Sequence, residues 1–292
     1  MNKSNSMLPY ICLVLAMVLW ASTFVALKLA FSLYDPMVVI FGRMAVASLL
    51  AVFFPFVFKN INFRKKDMKY IAFMVICEPC LYFIFEAKAL VYTSAAQAGM
   101  ITSMMPLMVA VGAGLFLKET LTVKTCIGFT IAVMGALWLS FASNPSSHGP
   151  NPMLGNFLEF IAMVCASGYA LSLKKLTSHY SPLFLTFIQA FAGAIFFFPA
   201  LFLPGTQLPV QVELIPIFAI LYLGSAVTLG AYGFYNYGVS KIPASQATAF
   251  INLIPVFSLI MSAIVLGECF SPVQYMASIL VFAGVILSQD IL

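Results

Sequence analysis

The chain has 292 residues, of which 63% are hydrophobic and only 8% are charged. A soluble domain carries roughly a quarter charged residues, so this composition excludes an ordinary soluble protein and indicates a polytopic α-helical membrane protein with lipid as its solvent. The formal net charge of +5 comes from Lys and Arg residues scattered over short predicted loops. No nucleic-acid partner is therefore expected, because such a partner would need a continuous basic face.

Ten apolar runs follow along the chain, each close to the roughly 20 residues that a membrane-spanning helix needs. They are Pro9–Ala30, Pro36–Phe58, Lys69–Ala89, Ser94–Leu117, Thr122–Phe141, Leu154–Leu176, Pro182–Leu203, Glu213–Tyr235, Pro243–Leu266 and Pro272–Gln289. The first run exceeds the roughly 7–15 apolar residues of a signal peptide, so we expect it to remain as a spanning helix. We expect residues 1–143 to form a first five-helix unit, residues 144–153 a polar linker and residues 154–292 a second five-helix unit.

The orientation follows from the loop charges, because Lys and Arg accumulate on the cytoplasmic side of a membrane. With the N-terminus inside, only Lys28 and Lys88 fall at outer helix ends, whereas eleven basic residues fall inside. The eleven are Lys3, Lys59, Arg64, Lys65, Lys66, Lys69, Lys118, Lys124, Lys174, Lys175 and Lys241. We therefore predict that both termini are cytoplasmic.

The chain contains one segment twice, because residues 86–140 align without gaps with residues 235–289 at a shift of 149. The aligned pairs include Ala95 and Ala244, Gln97 and Gln246, Pro106 and Pro255, Glu119 and Glu268, and Gly135 and Gly284. Five helices per repeat is an odd number, so the second repeat enters the membrane in the opposite orientation, which places Glu119 inside and Glu268 outside. The predicted fold is all-α and integral to the membrane, with ten transmembrane helices in two inverted-topology five-helix repeats, an arrangement typical of alternating-access carriers.

Predicted helix three places Glu78, Tyr82 and Glu86 on one face, four residues apart. A charge at the bilayer centre costs roughly 2.5–3.5 kcal/mol on insertion scales, so two carboxylates on one stripe favour a polar pathway. We expect all three side chains to bind substrate, with at least one carboxyl protonated in part of the cycle. Alternatively, one carboxylate pairs with Arg43 or Lys88 and only holds helices together.

Arg43 and Glu159 are predicted to have a structural or coupling role. Both map to the outer half of the bilayer, as Glu86 does, so we expect Arg43 to pair with Glu86 or Glu159. Anion binding is the alternative for Arg43. For Glu159, in the first turns of predicted helix six, the alternative is a side chain that reaches the membrane interface.

Repeated polar residues mark predicted helices four and nine, where Gln97 pairs with Gln246 and Ser103 with Asn252. We expect these four side chains to wall a central cavity. Close helix packing through small and hydrogen-bonding residues is the alternative. Pro106 and Pro255 are expected to bend both helices at the same place.

Aromatic and amide side chains complete the predicted substrate-binding set. Trp20 lies too deep in helix one for an interfacial anchor, and Tyr232, Tyr235 and Asn236 share one face of helix eight. Interfacial anchoring is the alternative for aromatic residues at helix ends. Thr23 and Tyr169 belong to matched segments, residues 21–24 and 166–169, at a shift of 145.

Small residues indicate a packing seam between predicted helices five and ten. Gly128 and Gly135 lie two turns apart on one helix, and Ala277 and Gly284 are their repeat partners on the other. The seam is expected within a monomer or between two monomers, so both a monomer and a homodimer remain open.

Several stretches resemble the EamA-type transporters of the drug/metabolite transporter superfamily. They are LWASTFVALKLAFSLYDPMVVIFGRM, YTSAAQAGMITSMMPL with LKETLT, and IPASQATAFINLIPVFSLIMSAIVLGE. The resemblance covers nearly the whole chain. It implies a central cavity bordered by helices 1, 3, 4, 6, 8 and 9, and transport of small organic solutes, often amino-acid or other metabolite efflux, in a bacterial inner membrane.

The predicted function is a secondary transporter that exports a small organic metabolite, an amino acid or related solute, by alternating access, with the proton as a coupling ion. The alternative is a membrane-embedded enzyme acting on lipid head groups, but no cluster of His, Asp or Cys indicates one. The chain contains no phosphate-binding GxxxxGK[ST] loop, and its only histidines, His148 and His179, fall in predicted loops. We therefore expect no metal and no cofactor, and the expected partners are the solute and the lipid bilayer.

Overall fold

The computed structural model describes residues 7–59, 61–117, 122–242 and 244–288. Its helices are α1 (Leu8–Phe31), α2 (Pro36–Phe53), α3 (Lys65–Tyr92), α4 (Ala95–Gly112), α5 (Val123–Phe141), α6 (Pro152–Leu176), α7 (Pro182–Phe202), α8 (Leu214–Lys241), α9 (Gln246–Leu266) and α10 (Pro272–Leu287). Nine of these are long and apolar enough to cross a membrane, and α10 is a shorter apolar helix. The predicted all-helical fold is confirmed. Five residues that the sequence analysis placed in loops or at helix ends lie outside the described residues: Lys3, Lys118, Glu119, Pro243 and Gln289.

Two helix ends differ from the prediction for identifiable reasons. Helix α2 ends at Phe53 rather than Phe58, since Phe54 precedes Pro55 and leaves the helical region with φ −123° and ψ 46°. A residue before proline is disfavoured in the α conformation. Helix α8 continues to Lys241, well beyond the predicted end at Tyr235, so that Tyr235 and Asn236 lie inside the helix.

Corresponding helices of the two halves begin in the same way. The Asp35 carboxylate accepts a hydrogen bond from the Met37 N–H at 2.8 Å before α2, and the Ser181 hydroxyl accepts one from the Phe184 N–H at 3.2 Å before α7. Each cap is followed by a proline, whose missing N–H would have no partner in the first turn anyway.

The duplication extends to the irregular parts of the helices. A π-helical segment interrupts α3 at Ile76–Leu81 and α8 at Leu223–Ala231. A 3₁₀ segment interrupts α4 at Thr102–Met104 and α9 at Phe250–Leu253. In both halves the α-helix resumes one residue before Pro106 or Pro255, so each proline stands near the start of a new helical segment, where it is tolerated.

Helices α5 and α10 pack against each other in antiparallel orientation within the monomer. Gly135 lies against Val281 and Ala277, and Gly284 lies against Ala132 and Gly128. The predicted seam of small residues is therefore internal. An antiparallel contact between corresponding helices of two repeats requires a pseudo-two-fold axis across the helices, as in inverted-topology transporters.

The loops gather at two ends of the helix bundle. The linker end carries loops 32–35, 93–94, 142–151, 203–213 and 267–271, and the basic end carries residues 54–59 and 61–64 and loop 177–181 together with residue 242. At the linker end, Lys28 Nζ donates to the His148 carbonyl at 2.5 Å, and Gln274 Nε2 donates to the Ser143 hydroxyl at 2.9 Å. At the basic end, Lys174 Nζ donates to the Ile242 carbonyl at 2.8 Å.

Candidate functional site

A central cavity lies between α1, α3, α4, α6, α8 and α9. These are the six helices that the resemblance implied, and α2 adds Arg43 to the wall. Its lining residues are Trp20, Thr23, Phe24, Arg43, Glu78, Tyr82, Phe83, Glu86, Thr102, Met105, Met163, Ala166, Tyr169, Tyr232, Ile251 and Ile254. The cavity therefore brings together eight of the predicted residues and combines acidic, basic and aromatic side chains.

One wall of the cavity is aromatic. The Trp20 ring lies 5.2 Å from the Tyr232 ring, and the Tyr169 ring lies 6.2 Å from the Tyr232 ring, both in edge-on geometry. Tyr235 packs behind this wall, with its ring 4.7 Å from that of Trp20 and no exposed surface. Such edge-on aromatic pairs stabilise a rigid apolar surface.

Asn236 supports the same wall rather than facing the cavity. The Tyr169 hydroxyl donates to Asn236 Oδ1 at 2.5 Å, and Asn236 Nδ2 donates to the Thr186 hydroxyl at 2.9 Å. These bonds fix the Tyr169 ring from behind. The structure thus assigns Tyr235 and Asn236, both predicted to contact substrate, to the layer that holds the lining residues in place.

The acidic face predicted on α3 points into the cavity, and each carboxylate has a tyrosine partner. The Tyr82 hydroxyl donates to Glu86 Oε1 at 2.7 Å, and the Tyr232 hydroxyl donates to Glu78 Oε1. Glu78 leaves the helical conformation with φ −150° and ψ 117°, which the following Pro79 favours. The Glu78 carbonyl freed by this break accepts a hydrogen bond from Gln189 Nε2 at 3.1 Å.

Arg43 does not form the ion pair that its position suggested. Its Nε donates to the Thr228 hydroxyl at 3.3 Å, and the guanidinium carbon lies 4.4 Å from the centre of the Phe83 ring. Within the described part of the chain, no carboxylate comes within salt-bridge distance of it, and Nη1 has no hydrogen-bond partner. The predicted pairing with Glu86 or Glu159 is therefore wrong in this structure, because the face of Phe83 takes the place of a carboxylate.

The repeated polar residues of α4 and α9 do not line the cavity. The Gln97 Oε1 atom accepts from the Thr93 hydroxyl at 3.1 Å and from Asn156 Nδ2 at 3.0 Å, near the linker end. The Ser103 hydroxyl donates to the Met100 carbonyl of its own helix. Gln246 is exposed, and Asn252 is half-buried with no hydrogen-bond partner for Oδ1 among the described residues.

Within the described ranges, no three His, Cys, Asp or Glu side chains lie close enough together to hold a metal ion. Glu159 is fully buried in α6 and is not part of the cavity wall. The alternative of an interfacial Glu159 side chain is thereby wrong.

The sequence matches the model of the EamA-like transporter family twice, over residues 7–141 and 153–289. The chain belongs to this family. The EamA-like transporter is thus an integral membrane protein of a transporter family, built from two copies of one domain.

Similar proteins carry transporter names. A protein of Archaeoglobus fulgidus named "Uncharacterized transporter" is 29% identical over 90% of this chain and 91% of its own length. YetK of Bacillus subtilis, also named an uncharacterized transporter, is 26% identical over 77% of this chain and 68% of its own length. A "Probable terminal-alkyne amino-acid exporter" of Streptantibioticus cattleyicolor is 25% identical over 94% of this chain and 91% of its own length.

A solved crystal structure shares the fold of this EamA-like transporter. It has a TM-score of 0.67 at 15% sequence identity, and the match covers 96% of this chain and 95% of the other. At this identity the likeness concerns the fold alone.

The sequence analysis did not predict the role of two residues whose hydrogen bonds join separate elements of the protein. The Gln189 side chain donates a hydrogen bond to the Glu78 carbonyl, where α3 is interrupted. Gln189 lies 146 residues after Arg43, which is the same shift that pairs Asp35-Pro36 with Ser181-Pro182. The Glu268 carboxylate accepts the N–H groups of Ala95 at 3.0 Å and Ala96 at 2.9 Å, which joins the loop between α9 and α10 to the start of α4. The repeat shift could have identified Gln189 as the counterpart of Arg43. The sequence duplication identified Glu268 as the counterpart of Glu119 but did not predict its hydrogen bonds.

Proposed function

We propose that this protein exports a small zwitterionic solute of the amino-acid class by alternating access at the central cavity. The observation that carries the proposal is that Arg43, Glu78 and Glu86 all line one cavity that also has aromatic walls. An α-amino acid carries an ammonium and a carboxylate on the same carbon atom, so its binding site needs both charge types close together.

Arg43 suits the solute carboxylate. Its planar guanidinium offers several donors in a fixed geometry that matches a carboxylate, and its Nη1 atom is buried without a partner among the described residues. Phe83 holds the guanidinium plane from one side. A polyanionic solute such as a sugar phosphate is a poorer fit, because the wall offers two carboxyl groups beside this one cation.

Glu78 and the aromatic wall suit the remaining parts of the solute. Glu78 Oε1 is held by the Tyr232 hydroxyl, which orients the carboxylate for an ammonium group. The rings of Trp20, Tyr169 and Tyr232 present apolar faces to a side chain and π-surfaces to a cation. The name of the Streptantibioticus cattleyicolor relative, an amino-acid exporter, supports the same solute class.

Alternating access is supported by the paired irregularities of the two halves. The π segments of α3 and α8 and the 3₁₀ segments of α4 and α9 occupy equivalent places, where helices bend most easily. The Glu268 and Lys28 hydrogen bonds hold the linker end together. Opening of that end requires these bonds to break, and a rocking of one repeat against the other would break them together.

The transport proposal is tested by counterflow in proteoliposomes, with labelled amino acids screened as solutes. We expect saturable counterflow of at least one amino acid. We also expect Glu78→Gln to raise its KM about tenfold or more, because a hydrogen bond to a charged group contributes roughly 1.5–3 kcal/mol. The matched control is Glu213→Gln at the start of α8, whose carboxylate caps no backbone group; it should behave as wild type. Equal effects of the two substitutions, or no saturable counterflow, would contradict the proposal.

We place the basic end in the cytoplasm and the linker end outside the inner membrane, because Lys and Arg concentrate at the basic end. Cys269 in the loop between α9 and α10 is a natural reporter, since it is free, exposed and at the linker end. A membrane-impermeant maleimide added to intact cells should label the protein, and Cys269→Ser should abolish the labelling. Labelling of Cys269 only after permeabilisation would reverse the orientation.

A further inference from the structure

We propose that Glu86 and Glu159 form a proton-binding pair, distinct from the solute-binding Glu78, whose proton is exchanged for the exported solute. The proposal rests on the transport function above and assigns its coupling step to two named residues. The ligand is a single proton shared between two carboxyl groups on facing helices.

The packing of α3 against α6 brings the two residues to the same level. Gly168 of α6 lies against Cys77 of α3, and Gly155 lies against the Ala89 carbonyl, so the helices are antiparallel. Glu159 lies nine residues before Gly168, and Glu86 lies nine residues after Cys77. The two carboxyl groups also interact electrostatically, as this register requires.

Both groups are buried, and three of their four oxygens have no hydrogen-bond partner in the described part of the chain. Glu159 is 0% exposed with both oxygens unpartnered, and Glu86 is 2% exposed with only Oε1 bonded, to Tyr82. Two unpaired carboxylates in a low-dielectric interior repel each other and lose their hydration. A proton on one carboxyl group removes its charge and supplies a hydrogen-bond donor to the other carboxylate. The pair therefore favours the binding of one proton.

The groups around the pair include a cation, but it forms no ion pair with either carboxylate in the described part of the chain. The titratable or charged groups that interact with the pair are Tyr82 and Glu78 from α3, Arg43 from α2 and Tyr232 from α8. Arg43 is the cation among them, and it bonds Thr228 and Phe83 rather than either carboxylate. The pair therefore cannot be explained as a structural salt bridge.

A buried polar cluster lies beside the pair on the side of the linker end. Asn156 lies one helical turn before Glu159 and bonds the Thr93 hydroxyl at 2.7 Å, Gln97 Oε1 at 3.0 Å and the Ser140 hydroxyl at 3.0 Å. This cluster is buried and leads from the loop between α3 and α4 toward Glu159. In the proposed orientation, it carries protons from outside to the pair.

Glu86 is the member of the pair that also lines the cavity. The ammonium group of a solute bound at Glu78 in the same cavity also stabilises the ionised form of Glu86 and displaces the shared proton. A proton bound to the pair in turn disfavours the solute cation. This mutual exclusion is what an exporter driven by proton entry needs.

The first test is infrared difference spectroscopy of the full-length protein reconstituted in lipid, with the proton itself as the ligand. Acid titration of the wild type should show the carbonyl bands of buried protonated carboxyls, and two of the steps in which these bands are lost as pH rises should come from the pair, since two close carboxyls cannot both ionise freely. The infrared titration should show one step fewer in each of the single variants Glu159→Gln and Glu86→Gln. Glu159→Asp, which keeps the acid, should retain both steps, and the control Glu213→Gln should match wild type.

The second test separates coupling from transport. Glu159→Gln should lose the stimulation of solute efflux by a pH gradient but keep solute counterflow, which needs no net proton movement. An unchanged carboxyl band in Glu159→Gln, or full gradient stimulation of this variant, would overturn the proton pair and leave the transport function standing. Absence of counterflow in the wild type would instead overturn the transport function, while the infrared titration would still decide whether the pair binds a proton.

Discussion

Replacement of Gly284 by leucine should strongly destabilise the protein. A Cβ atom on residue 284 would lie 2.5 Å from the Ala132 nitrogen and 2.6 Å from the Gly128 carbonyl oxygen. Both are backbone atoms of α5 and cannot move without displacing the helix. Overpacking of this kind costs about 3 kcal/mol, so the apparent unfolding midpoint in detergent should fall clearly.

A matched control lies on α8. A Cβ atom on Gly233 would meet nothing within 4 Å, so Gly233→Leu makes the same chemical change without a backbone clash. It should leave the thermal unfolding curve close to wild type. If the two leucine variants unfolded at the same temperature, the close approach of α5 and α10 would be refuted.

Much of this fold could be predicted from the sequence because lipid demands a simple pattern. Apolar runs of spanning length gave the helices, and one alignment shift gave the repeat and the seam at Gly135 and Gly284. The shift worked because it matched polar and structural residues, which chance similarity between apolar helices would not pair. The end of α2 was missed because the apolar run continues beyond Phe54, and only the local effect of Pro55 stops the helix.

The irregular helix segments show where sequence reasoning ends. Pro79 marked the break in α3, since proline removes a backbone donor. The corresponding π segment of α8, Leu223–Ala231, contains no proline. The segment makes tertiary contacts, such as the Arg43 bond to Thr228, which no local pattern encodes.

Part of the candidate site could be predicted from the spacing of polar residues along an apolar helix. The four-residue spacing placed Glu78, Tyr82 and Glu86 on one face, and polar residues on an apolar helix predict the direction of that face. Gln97 and Ser103 followed the same logic but occupy other faces of α4, one bonded near the linker end and one to its own helix. In a helix buried on nearly all sides, polarity alone does not distinguish a cavity from a hydrogen-bonded helix contact.

Replacement of Arg43 by glutamine should abolish the preference of the transporter for a solute with a carboxylate. We expect the KM of the transported amino acid to rise about tenfold or more, because a hydrogen bond between charged groups contributes roughly 1.5–3 kcal/mol. The KM of the corresponding amine, which lacks the carboxylate, should change little. The two solutes should then be transported with similar efficiency in the counterflow assay.

The comparison of two solutes separates recognition from structural support. Arg43 also bonds the Thr228 hydroxyl at 3.3 Å, so its loss removes a contact between α2 and α8 as well as a charge. Thr228→Val removes that contact and keeps the guanidinium, so it should lower the transport of both solutes equally and preserve the preference for the amino acid. If Arg43→Gln lowered both solutes equally, Arg43 would only hold α2 to α8, and another group would have to bind the carboxylate.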